Sequence, residues 1–501
     1  MKRFLSKIIT RKTGFVLILA LQLYLLLFAY LQLSYFLPYI FGGFTIVSTI
    51  VVIYEINRDV HVDFKISWLV LIVAFPIVGT ILYVFFHINP ITGKIKRRNS
   101  DILRETSRML HCNNNDTELS GLPHYVNLTS SFPTYTNPLI SYYKSGMAMY
   151  EELLTELSAA EEYIFIESFI LQQGYMWDGI YQILKQKVKC GVEVRVMYDG
   201  VGCVLTLPHN FSKSLTNDGI KSKIFSPVRP LLSTHQNNRD HRKIIVIDGD
   251  TVFTGGMNIA DEYIGKKQRF GMWKDAGIKL KGEACKSYAV MFLQMWNITE
   301  TTKEDYSRYL PETKYNYFGS GYVLPFADTP LDNEYVGMKT YLDIINSSKS
   351  YVYFMTPYLI LPSDVSEALQ YAAKRGVDVR IIVPKIPDKR YAQIISHTYY
   401  PGLIRSDVKI YEFTPGFIHS KVCISDGCKA VVGTINLDFR SLFLHYECAA
   451  YIYNNEVISD IKDDFNETLI KCRQFTQKDY DKLPLPERGA GRVLRLIAPL
   501  M

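Results

Sequence analysis

The octapeptide HRKIIVID, residues 241–248, returns as HSKVCISD, residues 419–426: one His-x-Lys-x-x-x-x-Asp pattern written twice, with most of the intervening letters changed. In a β-strand alternate residues face the same way, so each copy sets an imidazole beside a fixed ammonium group on one face. The copies share more than the signature. Gly255 and Gly433 both stand 14 residues after the histidine, and Asn258 and Asn436 both stand 17 after it. Core packing does not require His, Lys, Gly and Asn at matched offsets in otherwise diverged segments. The pattern therefore predicts two equivalent lobes whose polar residues meet at one site.

The surrounding sequence repeats in the same order. EYIFIESFILQQG (162–174) answers to SYVYFMTPYLILP (350–362), both rich in aromatic and β-branched residues and read as strands. Each leads into a helix-period segment that ends at a glycine, Gly191 or Gly376, before another strand. Strand–helix–strand alternation predicts an α/β class, with a mixed sheet flanked by helices in each lobe and a pseudo-twofold relation between lobes.

Ahead of the lobes lie three apolar runs, at 15–34, 37–54 and 68–87, each of a length that spans a bilayer or nearly so. They are expected to form two or three transmembrane helices. Lys2, Arg3, Lys7, Arg11 and Lys12 precede the first run, and Lys94, Lys96, Arg97 and Arg98 follow the third. Positive flanks favour the cytoplasmic side; three full crossings would separate these two, so one early segment is re-entrant or one flank is frustrated. The expected organisation is an anchor over 1–90, a polar linker over 91–130, a first lobe over 131–310 and a second over 311–501. The lobes are expected in the cytoplasm.

Composition narrows the function. With 21% charged and 48% apolar residues the chain is neither disordered nor wholly intramembrane. A net charge of +7, evenly spread, suits anionic lipid and not the basic groove of a nuclease. The eight cysteines form no CxxC pair, which argues against zinc and for reduced, buried thiols.

The paired motifs resemble the phospholipase D superfamily, and RDHRKIIVIDG, FTGGMNIADEYIG, WKDAG, GFIHSK, GTINLDFRS and the closing RVLRLIAPLM are similar to its bacterial cardiolipin synthases. The resemblance runs from about residue 50 to the end. It implies a covalent phosphohistidine route in which His241 attacks and His419 acts as general acid and base. Lys243 and Lys421 would hold the non-bridging oxygens, joined by amide donors from Asn258 and Asn436. Asp275 in WKDAG and Glu447 in LHYECAA would orient the two rings. The signature counts Asp248 and Asp426 with the catalytic set, although five residues past a lysine, at a strand end, a turn or supporting role suits them better. Two ammonium groups at the phosphate make a metal unnecessary, and no cofactor is expected. The implied reaction joins two membrane phosphatidylglycerol molecules into cardiolipin and glycerol. A hydrolase of the same superfamily and a non-catalytic lipid-binding homologue are the alternatives.

Overall fold

Two sheets of the same design dominate the structure, a computed structural model. It describes residues 37–87, 90–110, 121–227, 237–300, 304–312, 318–332 and 334–500, with a few between 20 and 28. In the first lobe the strands lie in the order Leu139–Tyr143, Gly277–Lys281, Thr251–Gly255, Lys243–Ile247, Tyr163–Ser168, Glu193–Asp199, Lys221–Phe225. The second lobe repeats the order: Tyr322–Asp328, His445–Tyr453, Lys429–Gly433, Val422–Ser425, Tyr351–Met355, Asp378–Pro384, Lys409–Phe413. Each sheet is mixed, with three parallel strands continuing into antiparallel ones. One short strand extends each edge of the second sheet, Tyr135–Thr136 at one side and Cys472–Phe475 at the other.

The central strands are covered on both faces, which is why Tyr163–Ser168 is buried at every position. Helices Tyr175–Lys189 and Ser363–Lys374 present apolar faces to the sheets and stop where expected. At their ends Gly191 and Gly376 take φ of +88° and +97°, and the next residue's N–H bonds back to Lys187 or Ala372. Only glycine adopts that conformation without strain. Cys203, Cys285, Cys423 and Cys448 are free and buried.

The signature aspartates close an identical turn in each lobe. Asp248, at φ +51°, accepts backbone N–H bonds from Glu161, Glu162 and Tyr163 at 2.7–2.8 Å. Asp426, at φ +52°, accepts the same three from Lys349, Ser350 and Tyr351 at 2.7–2.9 Å. Both carboxylates tie the start of a central strand to the end of the His-Lys strand. Seven residues of extended chain, about 23 Å, separate each from its histidine. These bonds support a turn role for both aspartates over a direct part in proton transfer. Asp248→Ala is expected to lower stability by about 1–2 kcal/mol, as loss of a backbone cap does, with turnover per folded molecule unchanged. Denaturant titration beside a specific-activity assay checks both halves.

Two other expectations change. Residues 91–130, expected as a linker, carry helices Pro90–Ser107 and Leu122–Ser130, with 111–120 outside the described residues. The first of these is amphipathic; Ile102 and Thr106 are buried, and Thr106 Oγ1 accepts a bond from Gln294 at 2.8 Å. The third apolar run is no single helix. Val62–Ala74 ends at Phe75, and Pro76, which has no N–H to continue the ladder, starts Pro76–His87. Among the described residues no helix is long and apolar enough to cross a membrane. The second run, 37–54, lies within the helix Leu37–Asn57, and most of the first, 15–34, lies outside the described residues.

The N-terminal unit reaches Pro90 and is held by its own contacts. Its helix Leu37–Asn57 supplies Ser48, whose hydroxyl lies 2.8 Å from that of Thr80, and Glu55, which accepts the Tyr83 hydroxyl at 2.6 Å. Trp68 meets the Tyr83 ring edge-on at 5.3 Å.

Candidate active site

Each signature histidine arrives on a short arm that one lobe extends and the other grips. Arg239–Asp240, just before His241, pairs in parallel with His445–Tyr446 of the second lobe. Gly416–Ile418, just before His419, pairs in parallel with Met272–Lys274 of the first. The His241 N–H donates to the Tyr446 carbonyl at 2.9 Å, and the His419 N–H to that of Lys274 at 2.7 Å. The next residue along each receiving segment supplies the carboxylate. His241 Nδ1 lies 2.8 Å from Glu447 Oε1 and 3.0 Å from Oε2. His419 Nδ1 lies 2.7 Å from Asp275 Oδ2.

Every ring is therefore fixed at two points by the opposite lobe. A carboxylate on Nδ1 makes that nitrogen the donor and leaves Nε2 with a free lone pair. The carboxylates sit in different frames. Gly256 stands where the second lobe has Thr434: a Cβ at Gly256 would collide with the Asp275 carboxylate and approach the His419 carbonyl at 3.0 Å. Thr434 instead donates its hydroxyl to Glu447 Oε2. The FTGG stretch thus makes room for Asp275, and no phosphate cradle is needed to explain it.

Both lysines are buried beside their histidines. Lys243 Nζ donates to the His241 carbonyl at 2.7 Å and lies 5.5 Å from the Phe169 ring centre; Lys421 donates likewise to the His419 carbonyl. Burial brings the Lys243 ammonium down to about 8 against the pull of Glu447. Burial, eased by Asp275 and reinforced by Lys243, brings Lys421 to about 7. Each imidazole senses the ammonium group of the other pair, so the two motifs share one electrostatic space.

The rings are not equivalent. Burial, then Lys243 and His445, hold His241 well below its ordinary value. Burial and Lys421 lower His419 only to about 4, because Asp275 works the other way. Despite burial, His419 and Lys421 keep Asp275 below its ordinary value, whereas burial pushes Glu447 well up. Asp275, held below its ordinary value, thus backs the ring whose basicity is the less suppressed.

The two asparagines reach the site with little left to offer. Asn258 Nδ2 donates to the Tyr263 hydroxyl at 2.6 Å and its Oδ1 accepts the Ile170 N–H at 3.0 Å, so one amide hydrogen remains. Asn436 lends a hydrogen bond to Asp438, and its Oδ1 meets no partner among the described residues.

Sequence reasoning missed His445. It is buried, 5.3 Å ring to ring from His241, with Nδ1 3.5 Å from Glu447 Oε1. The signal was present: His445-x-Glu447 on a strand has the same alternation as His-x-Lys. Phe169, 5.1 Å from the His241 ring, and Tyr263, 5.3 Å from the His419 ring, complete the aromatic walls. The ligand atoms of His241, His445 and Glu447 lie within 4.8 Å of one another, a spacing open to a metal. Arg440, Lys243, Arg239 and Lys389 all press positive charge on His445, however, and favour an anion.

That preference is testable with tungstate, a dianion throughout the relevant range. Lys421 and Lys243 lose their protons near 7 and 8 in the empty site, so anion binding must weaken as pH rises. Each tenfold loss of affinity removes about 1.4 kcal/mol of ligand stabilisation. Tungstate is expected to raise Tm more at pH 6.5 than at pH 9; equal gains would contradict the charge assignment.

Two interlocked α/β lobes, each with a buried imidazole–ammonium pair that feels the charge of the other, form the arrangement expected of proteins that handle phosphodiesters. Comparison agrees. A family model described as cardiolipin synthase, PLD-like domain, matches residues 153–296 and 341–469, more than half of the chain; one described as phospholipase D-nuclease N-terminal matches 43–86. The chain belongs to the phospholipase-D-like cardiolipin synthase family. It is 32% identical to a cardiolipin synthase of a Geobacillus strain over 95% of this chain and 97% of that one. It is 45% identical to an uncharacterised Streptococcus mutans protein, over 90% and 99% respectively. Among solved structures, phosphatidylserine synthase of Haemophilus influenzae Rd KW20 shares the fold, with a TM-score of 0.56 at 14% identity over 76% of this chain and 97% of that chain.

Proposed function

We infer that the chain is a phosphatidyltransferase of the cardiolipin synthase type, taking phosphatidylglycerol as both donor and acceptor. The observation that carries this reading is the crossed gripping of His241 and His419, which engages Nδ1 of each ring with a carboxylate and leaves Nε2 of each clear of it. His241 Nε2 attacks the donor phosphorus; the P–O bond to the glycerol headgroup breaks, and His419 gives its proton to the departing alkoxide. The acceptor's terminal hydroxyl then returns a proton to His419 as its oxygen attacks phosphorus and the P–N bond breaks. Cardiolipin and glycerol leave, and both rings are restored.

Three features support these roles. His419 is lowered only to about 4 where His241 is held well below its ordinary value, and its partner Asp275 is held below the ordinary carboxylate range. A phosphodiester brings negative charge between Lys243 and Lys421 and so favours their ammonium forms as well as a protonated His419. A growing charge on the phosphoryl oxygens is met by groups already in place.

Both substrates live in a bilayer, and the match over 43–86 to an N-terminal model shared with phospholipase D relatives supports membrane association. In this reading the segment before residue 90 is the anchor, and the two lobes, divided near residue 310, work on the cytoplasmic side indicated by Lys94, Lys96, Arg97 and Arg98.

Product analysis tests the function. The purified full chain, given labelled phosphatidylglycerol as sole lipid, is expected to release glycerol and cardiolipin in equal amounts. Phosphatidic acid as the main product would make the chain a hydrolase and overturn the acceptor assignment.

A further inference from the structure

The helix Leu485–Ile497, near the C-terminus, is bolted to the second lobe along one side only. Glu487 takes a bond from Arg390 at 2.6 Å; a Cβ at Gly491 would meet the Ile394 carbonyl at 2.8 Å; Arg495 donates to the Thr398 carbonyl at 3.2 Å and lies 4.0 Å from the Tyr399 ring centre. Glu487, Gly491 and Arg495, set against the helix Arg390–His397 and the turn after it, thus define an inner face. The outer face is apolar and, among the described residues, exposed. Leu485, Val493 and Leu496 are 76%, 65% and 45% exposed. At offsets of 8 and 11 they form one stripe along a 3.6-residue period. Burying such side chains in water-facing positions gains the lobe nothing.

Charge names the occupant. Arg492, exposed, borders the stripe, with Arg488 beside it over the Tyr480 ring, while the one acidic residue of the helix, Glu487, is turned inward to Arg390 and His397. An apolar stripe with an exposed arginine at its edge, and no acid on the outer face of its helix, complements an anionic lipid surface in which a helix lies flat. The neighbouring helix continues the surface with Tyr391, 46% exposed.

The same edge leads inward. A cleft walled by Tyr391, Ile395 and Phe439, with Lys389 and Arg440 at its rim, runs from Ala498, the residue after the helix, to Asp438. Asp438 stands two residues from Asn436 and opens the turn that ends at His445. An apolar groove with a cationic rim suits a phospholipid entering with its phosphate among the cations and its chains still towards the membrane.

We propose that the outer face of Leu485–Ile497 is an in-plane docking element for anionic phospholipid, which sets the adjoining cleft against the bilayer so that a lipid enters without leaving it. The proposal rests on the lipid substrate proposed above but goes beyond the choice of reaction. The docking itself requires no turnover.

The test uses the full chain reconstituted in phosphatidylcholine vesicles with or without phosphatidylglycerol. The photoreactive residue p-benzoylphenylalanine replaces Val493 in one variant and Ile470, an equally bare apolar residue at 84% exposure, in another. Irradiation is expected to label lipid at position 493 several-fold more than at 470. The excess should rise with phosphatidylglycerol content and fall in high salt. R492Q should weaken capture by about fivefold, the worth of one charge at an anionic surface. It should slow turnover of vesicle-bound phosphatidylglycerol and leave turnover of monomeric short-chain phosphatidylglycerol unchanged. Lipid labelling at 493 no greater than at 470, or capture of protein in place of lipid, would overturn the proposal. A chain that labels lipid but makes no cardiolipin would keep the docking element and sink the assigned reaction, so the two failures read differently.

Discussion

Replacing Asp275 with Asn is expected to cut turnover by about 10²–10⁴-fold, the range seen when an imidazole loses its orienting carboxylate, although Asp275 stands 144 residues before the ring it serves. The amide presents a donor as readily as an acceptor to Nδ1, so His419 no longer keeps its proton-bearing nitrogen fixed or its cation compensated. The loss must fall on steps that need proton transfer at His419. Asn is close to Asp in volume, and the Asp275 backbone keeps its place beside the Met272–Lys274 strand, so Tm should move little. Steady-state kinetics with a thermal melt separate these effects. A loss below about tenfold would mean that His419 needs no carboxylate partner.

The second large effect turns on the leaving group. His419→Ala is expected to lose about 10²–10⁴-fold with phosphatidylglycerol, whose glycerol departs as an unstable alkoxide unless protonated. With a p-nitrophenyl phosphatidyl ester the departing anion is stable without a proton, and His241 can still attack. One equivalent of nitrophenol per chain should then appear quickly and the reaction stop, because the acceptor alcohol finds no base. His241→Ala should give no burst with either donor. A burst surviving in His241→Ala, or continuous release in His419→Ala, would reverse or remove the roles given to the two rings.

Much of this architecture was legible because it is written twice. Matched offsets of Gly and Asn after each His-x-Lys pair predicted two equal lobes, and seven strands in the same order in each sheet follow from that duplication. Asp275 and Glu447 were identifiable as carboxylates, yet a repeat cannot reveal that they serve the opposite lobe. That depends on two arms, Arg239–Asp240 and Gly416–Ile418, too short to register as strands until a partner edge exists. The one-residue difference between Gly256 and Thr434 decides how an aspartate and a glutamate do equivalent work, and it reads as noise in a sequence.

His445 escaped for a simpler reason. It lies in neither copy of the His-x-Lys signature, although its neighbour two positions on, Glu447, was singled out. The helices over 91–130 were hidden by polar composition: one face of Pro90–Ser107 is solvated, and a few residues such as Ile102 carry its packing. The apolar run 68–87 was long enough for a span by count, but Pro76 divides it, and Gly79 N–H bonds to the Phe75 carbonyl at 2.7 Å as the next helix begins.

The account stands on His241 and His419 acting on one phosphorus, with His241 forming the covalent bond. Peptide mass spectrometry of the His419→Ala chain, quenched after its burst with the p-nitrophenyl donor, tests this most directly. A single phosphatidyl group on the His241 imidazole is the predicted result. Nitrophenol release with no adduct, or an adduct on any other side chain, would contradict it.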